Sequence, residues 1–270
     1  SPTLLRFKPF LAFRSVNELT HQNNIANTSY SELQNGISMK MYEGYPQLCM
    51  QFSKTNTYVH QPDWNKNIEY YKEQERGYAF KEDLLVPGYF EMPIKKGESI
   101  IFSGGVTEVS PRTLKNLWDK ELTRRSQRSD MFSTLKNSAE QFYKRVGDKT
   151  YLMAGYPWFG ARARDEFVSL VSSTILIDRM DYFDAIIDTA IPEIERFMEG
   201  EREGFVLEGI DDPDVFLYFI LAVQQFSTHR TMEEAASRFG KLVAKIIHYI
   251  RKQNHPNLIM HNNGLLYVNG

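Results

Sequence analysis

The sequence predicts an antiparallel β-sandwich followed by an all-α region. Residues 1–109 are rich in aromatic and β-branched residues and are interrupted by turn-forming pairs such as Asn35-Gly36 and Pro87-Gly88, a pattern typical of short strands. From about residue 164 onward, apolar residues recur at helical spacing. Between the two regions, Ser110-Pro111 predicts a helix start, because serine is a good N-cap and proline is tolerated at the first helical position.

Four segments of the first region are the candidate strands. Residues 38–42, 48–52 and 89–92 partly alternate between apolar and polar side chains, as half-buried strands do. Residues 99–103 have the composition of a more fully buried strand. An antiparallel sandwich over residues 1–109 is the expected product.

The helical region is expected to contain six helices and a hairpin. The predicted helices lie at about 111–125, 130–145, 164–177, 182–198, 212–228 and 231–253. In the fifth helix the apolar residues cover so wide an arc that it is expected to be buried on more than one side. Asn262-Asn263-Gly264 between two apolar runs predicts a hairpin that joins helices.

Composition and charge exclude several classes of protein. Thirty-two basic and 34 acidic residues give a net charge of −2, so no whole-chain field attracts nucleic acid. The longest apolar run, residues 215–223, is too short to cross a bilayer, so no membrane partner is expected. The single cysteine, Cys49, agrees with a reducing compartment and hence with a cytoplasmic location. Because the chain begins Ser1-Pro2, we expect it to be a fragment of a longer protein.

Motifs for nucleotide and metal sites are lacking in the sequence. It has no Gly-rich phosphate loop, no Gly-x-Ser-x-Gly element and no His-Glu-x-x-His element, and its six histidines are scattered. We therefore expect neither a metal nor a cofactor, since a zinc site needs three or four converging ligands.

The most informative stretch is the loop at residues 154–165, which is dense in glycine and aromatic residues and precedes a helix. Tyr156 and Trp158 offer aromatic faces, while Arg164 and Asp165 place hydrogen-bond donors beside acceptors. That combination can bind the hydroxyls of a sugar, which both donate and accept. The alternative is an interdomain loop with core aromatics and an Arg-Asp capping pair, and composition alone favours it.

Other aromatic residues are ambiguous in the same way. Trp64, Tyr70 and Tyr71 offer a second sugar platform. Aromatic residues near a strand usually pack in the core, however, and this interpretation is favoured.

Two motifs resemble glycogen debranching enzymes. Gly-Tyr-Pro-Trp-Phe-Gly at 155–160, followed after three residues by Arg-Asp, resembles the start of the glucosidase domain of this family and a longer form of the Trp-x-Arg-Asp element of glucoamylases. Glu-x-x-Arg-Gly at 73–77, Glu-Asp-Leu at 82–84 and Pro-Gly at 87–88 are similar to the late sandwich region of the bacterial enzymes. Their order along the chain is that of the family.

The resemblance implies a fold, a reaction and a substrate. The fold would be a β-sandwich at 1–109, a helical linker at 110–149 and, at 150–270, the first helices of an (α/α)6 toroid, a glucoamylase-like six-hairpin barrel that is incomplete in this chain. The implied amylo-α-1,6-glucosidase reaction hydrolyses α-1,6-linked glucose at glycogen branch points by an inverting mechanism with two carboxyl groups. The partner would be an α-glucan or a glycogen-derived oligosaccharide, bound by Tyr156, Trp158, Arg164 and Asp165, and the fragment itself is expected to be inactive.

The resemblance also proposes Asp214 as the general acid. Residues 214–219, Asp-Val-Phe-Leu-Tyr-Phe, match the Asp-Ala-x-Leu-Trp-Phe element at the start of an inner helix in debranching enzymes. The alternative is structural, because Asp211, Asp212 and Asp214 flank a proline at a helix N-terminus, where carboxylates cap free N–H groups. The second catalytic carboxyl is expected beyond Gly270.

The sequence departs from the family pattern beside the Arg-Asp pair. Arg162 and Ala163 stand where the family usually has tryptophan and glycine. This change supports an alternative function, a debranching-enzyme-related protein that binds glucan with little or no hydrolysis. Because an incomplete barrel leaves apolar helix faces uncovered, the chain is also expected to self-associate.

Overall fold

Two compact units follow one another along the chain and divide between Arg125 and Ser126. The computed structural model describes residues 3–268. The N-terminal unit extends to residue 125 and the C-terminal unit begins at residue 126. The division falls inside the segment 110–149 that the sequence predicts as a helical linker.

The N-terminal unit consists of strands with two short helical elements and a final helix. Its strands are β1 (Thr3–Phe7), β2 (Tyr30–Leu33), β3 (Gly36–Met39), β4 (Leu48–Phe52), β5 (Thr57–Glu69), β6 (Lys81–Ile94) and β7 (Phe102–Gly105). Helix α1 (Tyr71–Glu75) joins β5 to β6, and a 3₁₀ turn (Pro111–Thr113) leads into α2 (Leu114–Arg124).

The strands form two antiparallel sheets that share one core. The order of the first sheet is β1-β6-β5 and that of the second is β2-β3-β4-β7. Buried side chains from both sheets belong to a single cluster: Leu11, Ile37, Met39, Met41, Met50, Phe52, Leu85, Phe90 and Met92. Apolar side chains therefore fill the space between two sheets, as in a sandwich. The predicted order of sheets followed by helices is confirmed.

The predicted strands differ from the observed ones in detail. Residues 48–52 coincide with β4, whereas the strand predicted at 38–42 begins earlier, at Gly36, directly after the β2–β3 turn. Gly36 lies so close to β4 that a Cβ there would lie 2.0 Å from the carbonyl oxygen of Met50. The prediction of a buried strand at 99–103 is wrong, because β7 is the edge strand of its sheet and Phe102 is 41% exposed.

The C-terminal unit is mainly helical and contains two small hairpins. Its elements are α3 (Met131–Ala139), β8 (Tyr143–Val146), β9 (Lys149–Leu152), α4 (Ala163–Ser173), α5 (Met180–Met198), α6 (Val215–His229), α7 (Met232–Arg251), β10 (Leu258–Met260) and β11 (Leu266–Val268). The last four helical blocks agree with the prediction. β10 pairs with β11 as the predicted hairpin, and the helix expected after it lies outside the described residues. The helix predicted at 130–145 ends earlier, because the chain from Tyr143 turns at Gly147 to form the β8–β9 hairpin.

The core of the C-terminal unit is built around α6, which packs against α4 and α7. Phe216 and Phe219 on α6 are fully buried, while Leu217 and Leu221 are 39% and 42% exposed. The packing against two helices agrees with the expected burial of α6 on more than one side, and these two leucines are its exposed apolar residues. The helices described between residues 126 and 268 form no closed barrel. Across residues 3–268, none of the helices is both long and apolar enough to span a bilayer.

Candidate functional site

The aromatic loop, residues 155–160, is closed by its own backbone and exposes its rings. The N–H of Phe159 donates to the carbonyl of Gly155 at 2.7 Å, and the N–H of Ala154 donates to the carbonyl of Gly160 at 2.9 Å. Tyr156 is 65% exposed and Trp158 is 61% exposed. The alternative that these aromatics belong to the core is therefore wrong, and their faces are open to a ligand.

The segment after the loop is fixed by a second strand-like contact. The N–H of Ala163 donates to the carbonyl of Glu208 at 3.0 Å, and the N–H of Glu208 donates to the carbonyl of Ala161 at 2.8 Å. The guanidinium of Arg162, at the N-cap of α4, lies 4.7 Å from the Phe159 ring centroid and 3.7 Å from the Glu208 carboxylate. These contacts fix the start of α4 beside the loop that precedes α6.

Arg164 joins the first turn of α4 to the start of α6. Its Nε donates to Oδ1 of Asp214 at 3.0 Å, and its Nη2 lies 3.5 Å from Oδ2 of Asp212. The hydrogen bond with Asp214 raises the pKa of Arg164 above its ordinary value. All three side chains remain partly exposed to solvent, so a ligand can compete for these donors and acceptors.

Asp165 is the acceptor that the protein leaves available. It is exposed in the first turn of α4, and among the residues described here its carboxylate has neither a hydrogen bond nor an ion pair. It lines a cavity of about 410 Å³ together with Arg162, Arg164, Glu208, Gly209 and Asp212. Two guanidinium groups and three carboxylates thus surround one open space, which we call the Arg164 site.

Asp214 is the N-cap residue of α6, yet its side chain makes no capping hydrogen bond. Its carboxylate instead accepts from Arg164. The capping alternative for Asp214 is therefore wrong, because the side chain joins two helices. Asp212 contributes to the helix start through its backbone carbonyl, which accepts from the N–H of Val215 at 3.2 Å.

Sequence reasoning missed Glu208 as a lining residue and Arg162 as its partner. Both follow from the parallel bridge between residues 162 and 208, and no local motif marks such a pairing. The acidic turn at 211–212 did point to Asp212, but not to its ion pair with Arg164.

A second group of titratable side chains is buried beneath the start of α4. Glu166 has an exposed fraction of 1%, and burial, reinforced by nearby Glu193, raises its pKa from 4.5 to about 8. Its Oε2 accepts from the N–H of Leu152 at 2.9 Å, whereas its Oε1 and the hydroxyl of Tyr151 lack partners among residues 3–268. The sequence does contain a signal for the burial of Glu166. Glu166 lies four residues before Leu170, which places both on the same, apolar face of α4.

The described residues contain no cluster of three or more histidine, cysteine or carboxylate side chains arranged to hold a metal ion. The Arg164 site is accordingly an arrangement of ion pairs and hydrogen-bonding groups. Groups of this kind can donate hydrogen bonds to hydroxyl groups and accept hydrogen bonds from them.

Comparison with known proteins finds one family match, which lies in the N-terminal part of the chain. Residues 1–101 match the family described as glycogen debranching enzyme N terminal. No curated protein and no solved structure matches the chain. The match supports a relation to glycogen debranching enzymes and covers the region that carries the motifs at 73–88. It does not extend to the Arg164 site.

Proposed function

We propose that the protein binds the terminal α-1,6-linked glucose of an α-glucan at the Arg164 site and hydrolyses it, with Asp214 as the general acid. The observation that carries the proposal is the unpartnered Asp165 carboxylate, which lines one cavity together with the Arg164 guanidinium. Tyr156 and Trp158, in the loop that precedes these residues in the chain, expose their rings. The resemblance of this segment to the glucosidase domain supplies the substrate class.

The contacts suit a sugar ring for a specific reason. A glucose hydroxyl donates one hydrogen bond and accepts others, so it can donate to Asp165 while accepting from Arg164. Aromatic side chains provide an apolar surface with little side-chain entropy to lose, and sugars present apolar C–H groups to such surfaces. Little free energy is lost when Arg164 exchanges its present partners for a sugar, because those partners are half-exposed carboxylates.

Hydrolysis requires a proton donor at the glycosidic oxygen, because a sugar hydroxyl is a poor leaving group. Asp214 accepts a hydrogen bond from Arg164, the residue that precedes Asp165 in the chain. When the substrate draws Arg164 toward its hydroxyls, the carboxyl of Asp214 is released to carry a proton. In an inverting mechanism a second carboxylate activates water at a distance of roughly 6.5–9.5 Å.

The finer features belong to the same proposal. We propose that α4 to α7 are the first helices of the (α/α)6 toroid, that the protein is of the bacterial type, and that it acts in the cytoplasm on glycogen-derived chains. The resemblance of residues 155–165 and 214–219 to the family supports the toroid, and that of residues 73–88 supports the bacterial type. The single cysteine supports the location.

The test is the Asp214→Asn variant of the full-length protein, because we expect the second catalytic carboxyl beyond Gly270. Hydrolysis of an α-1,6-linked glucosyl branch on a maltooligosaccharide should fall on the order of 10²–10⁴-fold, while binding survives. Fluoride is a good leaving group that needs little protonation, so the hydrolysis of glucosyl fluoride should fall much less. Asp148→Asn, the same change in the exposed β8–β9 turn, should change neither activity. Equal activity of Asp214→Asn and wild type on both substrates would exclude Asp214 as the acid.

A second function is favoured by one observation, the Arg164–Asp214 hydrogen bond at 3.0 Å. This bond keeps the Asp214 carboxylate a hydrogen-bond acceptor. In addition, Arg162 and Ala163 stand where the family usually has tryptophan and glycine, so the aromatic wall expected beside the sugar is missing. In this case the protein binds glucan without efficient hydrolysis. Wild-type protein that binds the branched oligosaccharide but releases no glucose would establish this second function.

A further inference from the structure

A cavity of about 190 Å³ opens on the N-terminal unit beside β5 and β6. Its walls combine aromatic rings with side chains that form hydrogen bonds. Six of the residues that line it carry these rings and hydrogen-bonding groups: Lys8, Gln61, Asp63, Trp64, Asn65 and Tyr89. We call it the sandwich cavity.

An irregularity in strand pairing places the sandwich cavity. The register of β5 against β6 shifts between His60 and Asp63, and a bulge of this kind bends the strand and redirects its side chains. On β6 the backbone at Gly88 (φ +149°) comes so near β5 that a Cβ would lie 2.1 Å from the carbonyl oxygen of Val59. A side chain at this position would therefore force β5 and β6 apart at one wall of the cavity.

The Tyr89 ring is held in place from one side. The Arg6 guanidinium lies 4.2 Å from the ring centroid. Arg6 is itself fixed by Glu91, which accepts from Nη2 at 2.6 Å and from Nε at 3.0 Å. The Tyr89 ring is therefore already ordered by its contact with a fixed guanidinium, so it loses little conformational entropy when a ligand packs against it.

Trp64 is half-buried, and its position is fixed by packing against the core of the sandwich. Core packing and exposure to a cavity therefore occur in the same residue. The interpretation that Trp64 packs in the core is confirmed, while Tyr71, at 63% exposed, lies outside the core and is not among the residues that line the cavity.

We propose that the sandwich cavity binds one neutral sugar residue of an oligosaccharide. Lys8 and Asp63 contribute opposite charges, which disfavours an anionic or a cationic ligand. The amides of Gln61 and Asn65 each donate and accept, as hydroxyl groups require. The volume is below the ~300–1,000 Å³ of pockets for drug-sized ligands, which limits the occupant to about one ring.

The choice of an α-glucan as the probe rests on the proposed function, because the Arg164 site is expected to act on such chains. A second sugar site on the same protein would keep a long glucan attached while its end is processed. Linked sites raise the overall affinity for a chain that reaches both. The position of the cavity on residues 8–89 makes it separable from the Arg164 site by substitution.

The experiment uses Trp64 as its own reporter. The sequence has three tryptophans, so Trp118→Phe/Trp158→Phe leaves only Trp64. Titration with maltoheptaose should produce a saturable change in its emission. The change should be lost, or its midpoint shifted at least tenfold, in Tyr89→Ala and in Asn65→Ala. Tyr71→Ala, an exposed tyrosine outside the cavity, should leave the titration unchanged.

The outcomes separate the two proposals. No change in Trp64 emission at millimolar maltoheptaose, or the same titration in Tyr89→Ala and Asn65→Ala as in the reporter protein, would overturn the sandwich cavity as a sugar site. A titration that persists when Arg164→Ala and Asp165→Ala are added supports it. Calorimetric binding of a maltooligosaccharide that carries one α-1,6-linked glucose, if unaffected by Arg164→Ala and Asp165→Ala, would count against the proposed function alone.

Discussion

Glu82 and Asp83 show how a family-like motif can have a structural role. Glu82 is fully buried and accepts from the Tyr70 hydroxyl at 2.6 Å, the Thr20 N–H at 3.2 Å and the Arg14 guanidinium. Burial opposes its charge, but these donors outweigh that effect and lower its pKa. Asp83 accepts from the backbone N–H groups of Gln22 and Asn67. The Glu-Asp pair thus anchors the segment after β1 to the sheet.

Glu166 yields a prediction about pH. Its pKa is raised by burial to about 8 in the folded protein, so the folded state binds a proton that the unfolded state releases near 4.5. The stabilisation is fully present below about pH 4.5 and is lost as pH rises through about 8. The free energy of unfolding of wild type, relative to Glu166→Gln, should fall by a few kcal/mol between pH 5 and 9.

Urea denaturation at a series of pH values measures this difference. Glu203→Gln serves as a control, because Glu203 is exposed and its removal should leave the pH profile parallel to that of wild type. Parallel profiles for Glu166→Gln and wild type would contradict a buried, protonated Glu166.

The N-termini of α6 and α7 differ in their capping, and this difference predicts different losses of stability on substitution. Thr231 at the N-cap of α7 accepts from the N–H of Glu234 at 3.0 Å, whereas Asp214 at the N-cap of α6 accepts no such bond. Thr231→Ala should lower the free energy of unfolding by about 1 kcal/mol. Asp214→Ala removes only a half-exposed ion pair and should cost roughly 0–1 kcal/mol, the smaller of the two effects.

Chemical denaturation followed by helical circular dichroism checks the pair of variants. A loss for Asp214→Ala equal to or greater than that for Thr231→Ala would mean that Asp214 stabilises the helix start in solution. It would return Asp214 to the capping role that the sequence left open.

Most helices and some of the strands were predictable from local patterns, because their signals are contained in short windows. The blocks that became α4 to α7 have apolar residues at helical spacing, and β4 alternates in sequence as it does in the sheet. The β8–β9 hairpin was missed because Gly147 interrupts a segment whose composition still favours a helix. The edge position of β7 depends on sheet order, which no local window contains.

The candidate site was predictable only in part for the same reason. The loop 155–160 and the Arg-Asp pair are contiguous and could be recognised. The ion pair of Arg164 with Asp214 and the contact of Arg162 with Glu208 join distant segments. The sequence offered capping as the simpler role for Asp214, and only the packing of α4 against α6 reveals its partner.

For the molecule as a whole, the two exposed leucines of α6 predict self-association. Leu217 and Leu221 are one helical turn apart and both exposed, so together they can pack against apolar side chains of a second copy. Light scattering should detect species larger than a monomer at micromolar concentration. Leu217→Glu/Leu221→Glu should shift the population toward monomer.

The control for this prediction is Leu122→Glu, which changes an exposed leucine on α2 in the other unit. It should leave the distribution of species as in wild type. A monodisperse wild-type monomer would contradict self-association through α6.

We propose that the Arg164 site recognises an α-glucan through the free carboxylate of Asp165. Titration calorimetry with a maltooligosaccharide that carries one α-1,6-linked glucose measures this recognition. Asp165→Asn keeps the size of the side chain but removes its charge, and it should weaken binding about tenfold or more, since hydrogen bonds to charged groups contribute ~1.5–3 kcal/mol. Asp148→Asn should bind as wild type does. Equal affinity of folded Asp165→Asn and wild-type protein would contradict the claim.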